Sequence, residues 1–441
     1  MFEPQTLAIL MLASFFLLLM VGIPVAITLA VTGFVFGYFG FGTLLFNLLP
    51  ARIYGVVTGY QWLAIPLFIF MGLALEKSKL ADDLLDVIGH LAGGLRGGMA
   101  IGIVLFGALM GATTGIVGAT VITLGMLTLP SLLRRGYDKS IACGTICASG
   151  TLGQIMPPSL ILILLSDIMQ TSVGTLFAAA VMPALVLATV YVIYLLVLGM
   201  IKPQAMPPVP KEERGTVATR ELWIRFWKVV VPPIMLVVAV LGSIVGGVAA
   251  PTEAASMGAF GAIVLTIVAG RFSWKNLKAV TFDTAKLTGV MMFILMMAQV
   301  FALAFRGLQG EELIEDMFEW LPGGLYSDIW FMLFLIFVLG FFIEWIEISY
   351  IAVPLFLPVL LAQGADPVWV AIMVTVCLQS SFLTPPFGWA LFYLKGVAPP
   401  DVPITAIYKG VIPFILMQIV ALALVVYYPG LALWLPKAIG W

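Results

Sequence analysis

Charge is scarce in this chain. Only 10% of its 441 residues are Asp, Glu, Lys or Arg, against about a quarter in a soluble domain. The formal net charge is −1, and no basic cluster is large enough to follow a phosphate backbone, so nucleic acid is not a partner. Histidine is nearly absent. The single one, His90, sits in a polar segment and is read without a catalytic or ligand role. Cysteine is scarce as well. Cys143, Cys147 and Cys377 lie in apolar stretches with no His or carboxylate to complete a ligand set. They read as small packing residues, neither a disulfide nor a metal site. What fills the chain is apolar, 62% of all residues. No soluble fold hides that much apolar surface, so most of the chain must be solvated by lipid. The N-terminus, Met-Phe-Glu-Pro-Gln before a long apolar run, has no basic leader and no cleavage pattern. It reads as a first membrane helix.

Apolar stretches long enough to span run over 5–21, 23–40, 59–75, 139–166, 172–201, 229–249, 252–270, 284–305, 367–394 and 404–428. Two further stretches, 98–133 and 329–361, are too long for one span of about 20 residues and too short for two with a loop. Each is expected to form a re-entrant helical hairpin, a shape tolerated only inside protein or beside a water-filled cavity. Basic residues orient the chain. Arg134, Arg135 and Lys139, the linker 202–228 with Lys202, Lys211, Arg214, Arg220, Arg225 and Lys228, and Arg271, Lys275 and Lys278 are expected on the cytoplasmic side. The acidic segment 306–328, with Glu311, Glu312, Glu315, Asp316 and Glu319, is expected outside, as is the N-terminus.

The linker divides the chain into 1–201 and 229–441, and the halves resemble one another. At a shift of 228, Pro130 falls on Pro358, Leu132-Leu133 on Leu360-Leu361, Gly136 on Gly364, Asp138 on Asp366, and Pro157-Pro158 on Pro385-Pro386. Arg134-Arg135-Gly136-Tyr137-Asp138-Lys139 is basic, whereas its counterpart Ala362-Gln363-Gly364-Ala365-Asp366-Pro367 carries no basic residue. The positive-inside rule then puts equivalent loops on opposite faces. The expected fold is an all-α polytopic membrane protein of two inverted-topology repeats, each with a hairpin (98–133, 329–361) and a broken helix (139–166, 367–394). Secondary transporters are built this way, with their sites at interrupted helices near the midplane. A duplicated scaffold without transport is the plain alternative.

The interruptions stand at matching places. One is Ser149-Gly150-Thr151-Leu152-Gly153-Gln154-Ile155-Met156-Pro157-Pro158-Ser159, the other Gln379-Ser380-Ser381-Phe382-Leu383-Thr384-Pro385-Pro386-Phe387-Gly388. Paired prolines remove backbone donors and free carbonyls upstream. A sodium ion would satisfy such oxygens, and a kink satisfied by neighbouring helices is the alternative. The hairpin tips should approach these breaks. The first tip, Gly111 to Thr120, is uncharged, so an ion there must use hydroxyls and carbonyls, with Thr113 and Thr114 as candidates. The second tip carries Glu344 and Glu347, the only charges between Asp328 and Asp366. Carboxylates inside a span usually face an ion, a partner or a cavity. Glu253, just after Pro251, is expected to satisfy the N-terminal donors of its helix. Segments 78–92 and 307–320 read as amphipathic helices at the interface. Adjacent carboxylates without a histidine do not make an enzyme site, so no catalytic residues are expected.

The run Arg135-Gly136-Tyr137-Asp138-Lys139, then Ala148-Ser149-Gly150-Thr151-Leu152-Gly153 and Ile155-Met156-Pro157-Pro158-Ser159, resembles the large membrane subunit of tripartite ATP-independent periplasmic (TRAP) transporters. Leu383-Thr384-Pro385-Pro386-Phe387-Gly388 fits the same family. The resemblance implies an elevator-type transport subunit in the bacterial inner membrane. It would work with a small four-helix membrane subunit and a periplasmic substrate-binding protein, without a cofactor and with sodium as coupling ion. The substrates implied are small organic anions such as dicarboxylates and keto acids. It also implies one sodium site at Thr114, Gly115, Ser149 and Gly153, and a second at Glu344, Ser380, Ser381 and Thr384. Thr113, Gln154 and Gln379 are the candidates for substrate contact. The chain departs from the family pattern at Thr114-Gly115-Ile116, where a Ser-Gly-Ser tip is common, at Trp345-Ile346-Glu347, and at Cys377, where Asn is frequent. A stand-alone sodium- or proton-coupled carboxylate carrier of the same fold is the other reading.

Overall fold

The computed structural model describes residues 3–78, 87, 94–208, 219–319 and 322–441. Most of the expected amphipathic segment 78–92, with His90, lies outside the described residues, as do Lys211 and Arg214 of the linker. The described residues form helices joined by turns. In chain order they are α1 (Pro4–Met20), α2 (Val25–Phe41), α3 (Leu44–Val57), α4 (Ala64–Lys77), α5 (Gly98–Thr114), α6 (Val117–Arg134), α7 (Lys139–Thr151), α8 (Leu160–Ile168), α9 (Val173–Ile201) and α10 (Thr219–Arg225). They continue with α11 (Val231–Val245), α12 (Pro251–Val268), α13 (Trp274–Gly307), α14 (Gly310–Glu319), α15 (Leu325–Leu339), α16 (Trp345–Ala362), α17 (Pro367–Leu383), α18 (Trp389–Val397), α19 (Ile404–Tyr427) and α20 (Gly430–Ala438). Seven helical stretches among the described residues are long and apolar enough to cross a membrane. Others, such as α1 and α2, have 17 residues, about 26 Å at 1.5 Å per residue.

The two double-length stretches are helix pairs with tight turns. In the first, α5 ends at Gly115, whose φ is +62° and whose N–H donates to Gly111 O at 2.8 Å. That left-handed cap suits glycine and reverses the chain within two residues, so that α6 can start at Val117. In the second, α15 and α16 are joined by 340–344. The expected bounds 98–133 and 329–361 become 98–134 and 325–362.

After each pair comes a helix that is buried over most of its length. Asp138 accepts from the N–H groups of Ser140 (2.9 Å) and Ile141 (3.1 Å) and starts α7. Asp366 accepts from Val368 (2.8 Å) and Trp369 (3.3 Å) and starts α17. These aspartates satisfy donors that a helix start leaves open. Every residue from Ala142 to Thr151, and from Val368 to Leu383, is buried. α7 packs against α5, α6 and α19, and α17 against α15, α19 and α9. At the α7–α19 crossing a Cβ added to Gly144 would stand 2.0 Å from Gly410 O, so the backbones touch, as small residues allow between membrane helices.

The outer helices carry the exposed apolar side chains. Met20, Phe39, Phe260 and Phe282 are examples, and lipid rather than water suits such surfaces. α2 lies along α13, and α4 along α12 and α13. Lys77 at the end of α4 pairs with Asp283 of α13, and the neighbouring Glu76 accepts from Thr123 Oγ1 of α6 at 3.1 Å. The expectation for Glu253 is met: its Oε2 accepts the Ala250 N–H at 2.9 Å. The expected amphipathic helix in 307–320 is α14. Three helices had no counterpart among the expected spans and amphipathic segments: α10, which lies in the linker and runs on through 226–230 into α11, and α3 and α20. α3 is interrupted in sequence by Pro50 and Arg52, and α20 is too short to span.

Candidate binding sites at two helix breaks

Both buried helices stop where the prolines are. α7 ends in a tighter turn, Leu152–Gln154, and the chain is non-helical to Ser159 before α8 begins. α17 ends at Leu383, and the chain is non-helical to Gly388 before α18 begins. Pro157-Pro158 and Pro385-Pro386 both have a cis bond. Each break leaves a helix C-terminus followed within a few residues by a helix N-terminus, the first break buried and the second exposed at Pro386 and Phe387. Carbonyls at the C-terminus suit a cation, and N–H groups at the N-terminus suit an anion.

The first hairpin meets the first break through glycine. A Cβ added at Gly111 would stand 2.2 Å from the Cα of Gly153. One added at Gly107 would stand 2.6 Å from the Cβ of Ser149, and one at Gly115 3.3 Å from the N of Leu160. So the turn of the hairpin abuts both ends of the break. Of the first expected site, Ser149 and Gly153 lie against Gly107 and Gly111 of α5, and Gly115 lies against Leu160 at the far end of the break. The Thr114 side chain lies outside the described residues. Ser149 Oγ donates to Thr145 O at 2.6 Å and Thr113 Oγ1 to Met110 O at 2.8 Å. A hydroxyl that donates along its own helix keeps its lone pairs for another ligand.

The second hairpin meets the second break through a hydroxyl and two rings. A Cβ added at Gly340 would stand 2.1 Å from Ser381 Oγ. The rings of Phe342, at the tip, and Phe387, in the break, lie 5.5 Å apart. Ser380 Oγ donates to Val376 O (2.9 Å), Ser381 Oγ to Leu378 O (2.8 Å) and Thr384 Oγ1 to Ser380 O (2.7 Å). Glu344 occupies the position that starts α16, but its side chain does not cap the helix. No hydrogen bond joins its carboxylate to Ser380, Ser381 or Thr384 among the described residues, since each of those hydroxyls donates along its own helix. Glu347 follows in the first turn, is buried, and has one carboxylate oxygen without a partner among the described residues.

The two glutamines are the strongest chemical signal. Gln154 and Gln379 are buried at 2% and 0% exposure, and both amide atoms of each lack a hydrogen-bond partner among the described residues. An unsatisfied buried polar group costs about 1–3 kcal/mol, so such amides are expected to face a ligand. The turn holding Gln154 packs against α17, so the first break lies against the second broken helix. No group of three or more His, Cys, Asp or Glu gathers among the described residues. Hydroxyls, amides, carbonyls and single carboxylates at the breaks are oxygen donors, which suit a hard cation.

The halves also interlock. α8, beyond the first break, packs against α16 of the second hairpin, and α18, beyond the second break, against α6 of the first. A Cβ at Gly118 would stand 3.1 Å from the Tyr393 ring, and one at Gly125 2.8 Å from Leu394.

A polar cleft of 410 Å³ opens elsewhere, between α3, α13, the end of α8 and α16. Sequence reasoning missed it, because Arg52 lies on the helix that no span pattern marked.

Comparison with known proteins identifies the fold and family. The family model described as "Tripartite ATP-independent periplasmic transporter, DctM component" matches residues 12–431. The C4-dicarboxylate TRAP transporter large permease protein DctM of Pseudomonas aeruginosa is 31% identical over 89% of this chain and 90% of its own length. The ectoine TRAP transporter large permease protein TeaC of Halomonas elongata is 27% identical, covering 97% of this chain and 98% of its own. Among solved structures, the YdaH transporter of Alcanivorax borkumensis superposes with a TM-score of 0.59 at 14% identity, over 90% of this chain and 89% of that one. That likeness concerns the fold alone. The relatives are transport permeases and not enzymes. The chain therefore belongs to the TRAP transporter family as its DctM component, the large permease subunit, a multi-pass protein of the inner membrane.

Proposed function

We propose that this chain carries a small organic anion, a carboxylate such as a dicarboxylate or keto acid, inward across the membrane on a sodium gradient. It does so with a small four-helix membrane subunit and a periplasmic substrate-binding protein. The carrying observation is that a hairpin turn meets a broken, fully buried helix twice over, with an unpartnered glutamine amide at each break. Half-helix N-termini and hydroxyls hold the anion, and half-helix C-termini with hydroxyl and amide oxygens hold sodium. The halves 1–201 and 229–441 act as inverted repeats about the linker 202–228, their hairpins re-entrant. The hairpins with the broken helices move as one body against the outer helices, an elevator motion. The reciprocal packing of α8 on α16 and α18 on α6 supports a single moving body. Substrate is left to the class of small carboxylates because relatives named for C4-dicarboxylate and for ectoine, both of which carry a carboxylate, are 31% and 27% identical.

The test is uptake into proteoliposomes under an imposed sodium gradient, with the chain alone and then with both partners, against labelled carboxylates. Uptake that needs sodium and both partners is the expected result. Sodium-driven uptake by the chain alone would instead make it a stand-alone carrier.

A further inference from the structure

The cleft of 410 Å³ noted above lies away from the helix breaks and has the size of a small-molecule site. Its polar lining is two arginines, one aspartate, Gln170, Gln299 and the hydroxyl of Tyr350. Arg52, exposed on α3, and Arg306, at the end of α13, face Asp167 across it. Arg306 Nε pairs with Glu311 at 2.8 Å, which uses one of five guanidinium donors. Tyr350 of α16 also lines the cleft. It is only 4% exposed, yet its hydroxyl has no partner among the described residues. Trp62, 6.4 Å from the Tyr350 ring, adds an apolar wall. Two guanidinium groups, a spare hydroxyl and an aromatic wall are what a small carboxylate requires. Arg306 opens the acidic segment 306–328, which the positive-inside rule puts outside. Tyr350 is six residues past Glu344, about 9 Å along α16, so the cleft leads toward the second hairpin tip.

We propose that this cleft is the receiving site for the anion on the external face. A carboxylate is caught between Arg52 and Arg306 and hydrogen-bonded by Tyr350 before it passes to the breaks. The assignment rests on the anion-uptake reading above. Arg52 sits on an outer helix and Tyr350 on a hairpin helix, so the site spans the two bodies that move apart, and movement would release what it holds.

Gly55 gives a direct probe. A Cβ there meets nothing within 4 Å, it lines the cleft, and the native Cys143, Cys147 and Cys377 are buried. Gly55→Cys in the full chain, reconstituted with its small subunit, would be labelled by an anionic methanethiosulfonate (sulfonate) and a cationic one (trimethylammonium). The anionic reagent should react faster, and the ratio should fall about fivefold or more with Arg52→Gln and with Arg306→Gln, since each removes a local positive charge. Free carboxylate substrate should protect the introduced thiol, and Tyr350→Phe should weaken that protection. A ratio indifferent to both arginines would overturn the proposal. So would protection by the substrate-free binding protein but not by free carboxylate, which would make the cleft a protein dock. Labelling needs no transport, so it still judges the cleft if sodium-driven uptake fails and the broader reading with it.

Discussion

The two helix breaks share a plan and differ in what seals them. At the first, backbone meets backbone: Gly111 lies against Gly153 with no room for a methyl, and no charge lies between Gly98 and Leu133. At the second, side chains do the sealing. Ser381 fills the space beside Gly340, Phe342 packs on Phe387, and Glu344 and Glu347 stand at the tip. A backbone contact cannot adapt to a substitution. A side-chain contact can, because the far atoms move. On the sodium-coupled reading proposed above, the first break is a fixed seat for a cation held by neutral oxygens, and the second an adaptable one with a carboxylate beside it.

The largest effect should come from breaking the backbone contact. Gly153→Val is expected to abolish sodium-driven uptake and to lower stability by about 1–3 kcal/mol, the cost of overpacking a tight core. Uptake and thermal unfolding in detergent would measure this, and no second substitution at a side chain should rescue it. Gly340→Ala, by contrast, should regain most of its thermal stability when Ser381→Gly is added, because the clash lies at a side chain that can be cut back. If Gly153→Val transports normally, the fixed-seat reading fails.

Charge gives the next contrast. Glu344→Gln should raise the sodium concentration for half-maximal uptake about tenfold, since losing one charged ligand costs on the order of 1.4 kcal/mol. Ser149→Ala, which removes one neutral oxygen, should raise it about threefold. Equal shifts at the two positions would erase the difference between the breaks.

The orphan amides test ligation apart from folding. Gln154→Leu and Gln379→Leu should each lower uptake sharply, yet leave the unfolding temperature without sodium or substrate unchanged or higher. Replacing an unsatisfied buried amide with an apolar group of similar size removes a cost and no bond. A marked loss of stability would mean the amides have structural partners.

The smallest contrast concerns the caps. Asp138→Ala should cost about 1 kcal/mol in thermal unfolding, as loss of an N-cap usually does. Asp366→Ala should cost less, because Pro367 at the first helical position already fixes the helical φ. Reversal of that order would show that the caps act beyond their own helices.

Much of this architecture was legible in the sequence. The hairpin bounds agree within four residues, both breaks stand at their Pro-Pro pairs, and the matched Asp138 and Asp366 turn out to be helix caps. α3 was not legible. Pro50 and Arg52 interrupt its apolar run, and at 14 residues it is too short to show a spanning pattern. With it went Arg52 and the polar cleft. Glu344 and the hydroxyls of Ser380, Ser381 and Thr384 were grouped by sequence motif, yet no hydrogen bond joins them. A shared motif fixes neighbourhood but not the direction of a side chain.

The sequence by itself determined that lipid solvates the chain, where its helices break, and which residues at the breaks carry oxygen ligands. These follow from local chemistry, namely apolar length, proline's missing donor and the scarcity of charge. Only the tertiary structure decided that Gly111 seats on Gly153, that Gln154 and Gln379 are left without partners among the described residues, and that each half-helix beyond a break packs on the other half's hairpin. Those contacts join residues far apart in the chain. They depend on how whole helices pack, which no local pattern of residue types encodes.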